Sequence, residues 1–229
     1  MTDQVNTAAG GSEQWTAPVQ ASSRRIPRAF WIGLIVISGV SAIGWLWTQS
    51  RGEVEVGRAL PVVAQIPDFS LIERDGRTVT RADLLGRVWV ADFIFTACTG
   101  PCPTLTLRMR SLQSSLGDAE RDVRLVSFSL DPETDTPAVL GRYAKRYQAD
   151  PRRWWFLTSD SRERMHEFVK KGFLQAVSPA TMGQPLIHST RFVLVGRKGY
   201  IRAWYDGLDP KSKPLILRDI QSLLSEPAG

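Results

Sequence analysis

The apolar and polar positions divide this chain into a polar tail, one long uncharged run, and a region where short apolar segments alternate with turns. Residues 1–23 are mostly small and polar, the composition of a disordered tail. Arg24, Arg25 and Arg28 follow, then 19 uncharged residues from Ala29 to Trp47. As a helix this run would span roughly 29 Å, about one hydrocarbon core. Trp31, Trp45 and Trp47 lie near its ends, where an interfacial aromatic belt is expected. The run exceeds the ~7–15 apolar residues of a signal peptide, and no clear Ala-x-Ala site follows it, so an uncleaved anchor is expected. Three arginines precede the span, whereas Arg51 with Glu53 and Glu55 follows it, which places the N-terminus in the cytoplasm.

The expected organisation is therefore a cytoplasmic disordered tail (1–28), a single-pass transmembrane anchor (29–47), a linker (48–66) and one domain (67–229). That domain would lie on the outer side of an inner membrane, in the periplasm if the source is a bacterium. Within it, Ser70–Glu73 and Thr78–Thr80 flank Asp75-Gly76 and predict a hairpin. Arg81–Leu85 reads as a short helical turn and Val88–Phe95 as a buried strand. Pro103–Leu116 reads as a helix with Leu105, Met109, Leu112 and Leu116 on one face and Gly117 as its stop. Val123–Leu130 is apolar on both faces, as for a central strand. Further helices are expected at Ala138–Tyr147, Ser161–Lys171 (stopped by Gly172) and Lys213–Leu224. A strand is expected at Trp154–Leu157, and a second hairpin joins Arg191–Val195 to Tyr200–Tyr205. This order predicts an α/β fold with a mixed sheet.

Composition narrows the function classes. The chain is 43% hydrophobic and 23% charged, as globular proteins are. Its net charge of +6 is spread along the sequence, with no arginine-rich tract interleaved with aromatics, so nucleic acid is not an expected partner. No small-molecule substrate is evident.

The candidate chemistry lies in Cys98-Thr-Gly-Pro-Cys102-Pro103, which holds both cysteines of the chain. A structural disulfide is the bland reading, yet so small a ring contributes only roughly 2 kcal/mol, against about 4.7 for a 100-residue loop. Close spacing suits a pair that opens and closes, or that grips one ion, and a helix N-terminus favours thiolates. Of the two histidines, His166 lies inside a predicted helix among polar residues and reads as a surface or boundary position. His188 stands just before the strand Arg191–Val195. Two thiolates and an imidazole suit Cu(I), and can also hold Cu(II). Zinc accepts the same atoms but would lack a fourth ligand. Asp131 and Asp135, four apart in a loop leading to Pro137, could do acid–base work or hold a hard ion, but turn formation and capping fit that position better, with Thr136 or Asp135 as the cap of the following helix.

The cysteine pair at the end of the first core strand and the terminal β-β-α order look like the thioredoxin fold. The early hairpin and long middle resemble its peroxiredoxin-like branch. In such a fold, the loop before the last hairpin lies across from the cysteines, so His188 could face Cys98 and Cys102. A peroxidase reading fails for want of a proline at the expected spacing before Cys98.

Three motifs in order resemble the Sco/SenC family: Phe93-Ile-Phe-Thr-Ala-Cys98-Thr-Gly-Pro-Cys102-Pro, Asp131-Pro-Glu-Thr-Asp135-Thr-Pro137, and His188-Ser189. The resemblance covers about residues 60–225. It implies a tethered thioredoxin fold with Cys98, Cys102 and His188 as copper ligands. It also implies a role in delivering copper to, or keeping reduced, the dinuclear copper site of a cytochrome c oxidase subunit. The alternative is a thiol–disulfide oxidoreductase that uses Cys98 and Cys102 as its redox pair without obligatory metal. Two positions depart from the family pattern: Thr99 where Pro is common, and Ile187 where an acidic residue is common.

Overall fold

The computed structural model describes residues 32, 37–42, 59–117, 121–175, 177–178 and 187–227, with the side chains of 177, 178, 187 and 188 left undescribed. The chain divides into two compact units, Met1–Val56 and Gly57–Gly229. In the first, residues 32 and 37–42 are helical and exposed. Most of the expected span, 29–47, lies outside the described residues. No described helix is long and apolar enough to cross a membrane.

The second unit is built on a seven-stranded sheet. Its strands are β1 (Ser70–Glu73), β2 (Thr78–Thr80), β3 (Val88–Ile94), β4 (Val123–Ser129), β5 (Trp154–Thr158), β8 (Arg191–Val195) and β9 (Ile201–Asp206), in the order β2-β1-β5-β4-β3-β8-β9. β6 (Val177–Ser178) and β7 (Ile187–His188) form a separate two-stranded pair. β3, β4 and β5 run parallel, while β8 is antiparallel to β3 and β9 to β8. The helices are α1 (Cys102–Ser115), α2 (Pro137–Arg146), α3 (Arg162–Phe173) and α4 (Ser212–Ser225), with a 3-10 turn at Arg81–Leu84. The sequence β3-α1-β4, then β8-β9-α4, on a four-strand core ordered β4-β3-β8-β9, is the thioredoxin arrangement. The β1–β2 hairpin and β5 extend one side of that core.

Strand alternation explains the layering. On one face Val88, Val90, Ile94, Leu125, Trp154 and Phe156 pack with Leu105, Met109 and Leu112 of α1, Leu140 of α2, and Ile216 and Ile220 of α4. On the other, Trp89, Ala91, Phe93, Val126 and Phe128 pack with Met165, Val169 and Phe173 of α3. All seven residues of β3 and all seven of β4 are buried, as the two-faced apolar pattern requires.

Two local expectations change, and an open choice is decided. Gly172 does not stop α3. It lies within the helix, where a Cβ would come 3.0 Å from Pro67 Cδ, and the helix ends at Leu174 with φ 55°. The glycine is there for close packing, and the left-handed cap falls on a leucine. His166 is not a surface residue: it is 8% exposed, and its Nε2 lies 2.8 Å from the Leu130 carbonyl. Of the two residues expected as the cap of α2, Thr136 takes the role, accepting from the Val139 amide.

Candidate metal and thiol site

β3 ends at Ile94, and the chain then turns, with the Cys98 amide donating to the Phe95 carbonyl at 3.2 Å. α1 begins at Cys102 itself, with Pro103 next, a position where the missing N–H costs nothing. Cys98 is half-buried, and Cys102 is fully buried among Ile94, Leu105 and Met109. Both are thiols rather than a disulfide.

The helix N-terminus does not make Cys102 a ready thiolate. Burial pushes its pKa strongly upward, and a hydrogen bond with the Cys98 side chain pushes it the same way, against the opposing pull of a Phe95 backbone hydrogen bond. Desolvation of a charged sulfur outweighs the helix end here. The two sulfurs are therefore unequal: Cys98 meets the surroundings, and Cys102 holds its proton inside.

The loop is pinned from behind by Asp135. Its carboxylate, fully buried, accepts from the Thr96 amide at 3.0 Å, the Thr96 hydroxyl at 2.5 Å and the Ser129 hydroxyl at 2.6 Å. Thr96 stands two residues before Cys98, so this aspartate of the Asp-Pro-Glu-Thr-Asp loop fixes the cysteine turn against the end of β4. Three donors favour the ionised form, yet burial dominates and its pKa lies above the ordinary carboxylate value. Asp131 has a separate task, pairing with Arg162 of α3 at 2.5 Å. Neither aspartate is arranged for acid–base chemistry.

Asp92 was hidden inside the apolar run of β3. It is fully buried on the same sheet face as Val90, Ile94 and Cys102. Its Oδ1 accepts from Ser127 Oγ at 2.5 Å, and Ser127 Oγ accepts from Trp154 Nε1 at 2.9 Å. Its Oδ2 has no hydrogen-bond partner, and burial lifts its pKa to about 7. A lone carboxylate in an otherwise apolar strand was the available sequence signal.

His188 lies in β7, paired with Val177, three residues before β8. β8 runs antiparallel to β3 with Ala91 opposite Val193, so the chain before β8 reaches the sheet end where β3 releases the cysteine loop. The backbone thus brings His188 to the cysteine end. His166 is not there for chemistry, since its ring is committed to Leu130. Among the described residues no cluster of three or more His, Cys, Asp or Glu is placed for a metal ion.

The chain is 36% identical over 162 residues to the SCO1 protein homolog of Bacillus subtilis (strain 168), covering 71% of this chain and 84% of that protein. It is 31% identical over 147 residues to a Stutzerimonas stutzeri protein named for copper binding, covering 62% and 70%. Its fold matches BsSco, a member of the Sco family of cytochrome c oxidase assembly proteins with an identified disulfide switch. That match has a TM-score of 0.66 and 36% identity, over 73% of this chain and 97% of BsSco. The SCO1/SenC family model spans residues 60–225, from the segment before β1 to the end of α4 and across both cysteines and His188, and the chain belongs to that family.

Proposed function

We propose that this protein is a membrane-tethered copper-binding factor for the assembly of the dinuclear copper site of cytochrome c oxidase. The observation that carries the reading is two unequal thiols on one turn, with His188 brought by the backbone to the same end of the sheet. Soft sulfur donors with one imidazole fit Cu(I), and the same set can hold Cu(II). Cys98, Cys102 and His188 would hold the ion, and Cys102 would have to give up the proton that burial otherwise keeps in place. Asp135 and Thr96 hold the turn so that the thiols do not have to be ordered when the metal arrives. The family, the B. subtilis homolog and the copper-named relative support the choice of metal.

Residues 29–47 form the tether in this reading, with the N-terminus in the cytoplasm and the domain in the periplasm. A membrane-impermeant maleimide should then label Cys98 in intact spheroplasts. Labelling only after lysis would place the domain on the other side.

Cu(I) titrated into the intact chain against a competing chelator, without oxygen, tests the metal site. Tight one-to-one binding is expected, and His188→Ala should weaken it by about 10-fold or more, as loss of a ligand exceeds the effect of a supporting partner. Binding indifferent to His188 would overturn the three-ligand site.

A second reading is favoured by the asymmetry of the thiols. A half-exposed Cys98 and a buried Cys102 suit an attacking and a resolving sulfur, as thiol–disulfide exchange requires. In that reading Cys98 attacks a partner disulfide, and Cys102 then displaces the partner's sulfur from Cys98. The chain is left as a disulfide and the partner as a dithiol, and His188 is dispensable.

A further inference from the structure

Gly207 sits just past the end of β9, buried where three segments converge. Its amide donates to the Thr190 carbonyl at 3.0 Å, extending the β8–β9 ladder by one bond beyond Arg191 and Asp206. A Cβ on this residue would lie 2.5 Å from Leu105 Cδ2, 2.5 Å from the Thr190 carbonyl oxygen and 3.1 Å from Phe192 Cε1. Real Cβ atoms essentially never approach within 3.0 Å. Among the described glycines, Gly207 alone has a backbone atom inside that distance. Its φ lies outside the left-handed region, so the demand for glycine here comes from space and not from backbone conformation.

The neighbours give this absence of a side chain its meaning. Leu105 belongs to the first turn of α1, three residues after Cys102, and is itself buried. Thr190 stands two residues after His188. Gly207 is therefore the contact that sets how closely the His188 segment approaches the helix that begins with Cys102. Phe192 and Leu105 are core residues and do not yield cheaply, and a carbonyl oxygen yields only if its backbone moves. An added methyl would push the Thr190 backbone outward and carry the histidine segment with it.

We propose that Gly207 is a positioning residue for the metal site: by leaving no side chain between Leu105 and Thr190, it sets the spacing of His188 from Cys98 and Cys102. This rests on the three-ligand reading above. Metal sites lose about 10–100-fold in affinity when a group that orients a ligand is removed, and displacement of the whole ligand segment acts on the same contact.

The test is a Cu(I) titration against a competing chelator on the intact chain. It compares wild type, Gly207→Ala, His188→Ala and the Gly207→Ala/His188→Ala pair, with the thiolate-to-Cu(II) charge-transfer band as a second readout. Gly207→Ala should weaken Cu(I) by about 10-fold or more and shift the band, yet cost nothing further in the His188→Ala background. Wild-type affinity in Gly207→Ala, or an equal loss with and without His188, would overturn the inference. If His188→Ala alone changes nothing, the three-ligand reading itself fails, a result distinct from either of those. Should Gly207→Ala not fold, Leu105→Ala/Gly207→Ala decides, because it removes the clash with the leucine and leaves the methyl 2.5 Å from the Thr190 carbonyl oxygen. A loss of about 10-fold or more relative to Leu105→Ala alone, absent in the His188→Ala background, supports the spacing. Affinity within about threefold of Leu105→Ala alone overturns it.

Discussion

Asp135→Ala is expected to lower the free energy of unfolding by about 3 kcal/mol, the cost of leaving charge-directed donors without an acceptor. The stranded donors set this cost more than the lost carboxylate does. The Thr96 amide, the Thr96 hydroxyl and the Ser129 hydroxyl all point at this one group. The two hydroxyls can rotate toward other acceptors or water, but the Thr96 amide is fixed by the backbone and cannot. The loss should therefore appear twice: as a lower urea midpoint, and as faster alkylation of Cys98, whose turn is no longer tied to β4. An alanine variant with an unchanged midpoint and unchanged alkylation would mean that the cysteine turn holds its shape without the anchor.

That anchor marks the limit of what local pattern discloses. Asp135 lies in a Pro-flanked loop before a helix, and local chemistry allows either it or Thr136 to cap. The cap is its neighbour Thr136, because Asp135 is taken by a threonine 39 residues away in sequence. The same limit applies to His166, whose polar neighbours point outward while its own ring turns in to Leu130, and to Gly172, whose role depends on Pro67. Elements defined by periodicity emerged with boundaries within about a residue or two: the β1–β2 hairpin around Asp75-Gly76, the α1 face of Leu105, Met109 and Leu112, and the two-faced strands β3 and β4. Periodicity is a property of one segment, whereas pinning, close approach and burial of polar groups are properties of pairs of segments. The cysteine turn was legible because both thiols fall within five residues. The inequality of the thiols was not, since it arises from the core that α1 and β3 build around Cys102 alone.

Asp92→Asn is expected to stabilise the fold at pH 8 by about 2–4 kcal/mol and to change it little at pH 4. The carboxyl is wholly buried in the middle of β3, and burial raises its pKa from 3.8 to about 7. A raised folded-state pKa means that the native protein binds this proton more tightly than the unfolded chain does. Below pH 4 both states hold the proton and the group carries no penalty. Between pH 4 and pH 7 the unfolded chain releases it first, so native stability falls as pH rises. Above pH 7 the full cost is present, and three pKa units at 1.36 kcal/mol each set it near 4 kcal/mol. Asparagine removes the titration while its oxygen still accepts from Ser127, and its amide nitrogen takes the place of an oxygen that had no partner. Urea unfolding of both proteins from pH 4 to pH 8 gives the measurement, with the two stability curves diverging as pH rises. Parallel curves would show that Asp92 does not titrate in this interval. The buried carboxylate would then have to be compensated in the native state by something other than Ser127, despite its unpartnered Oδ2.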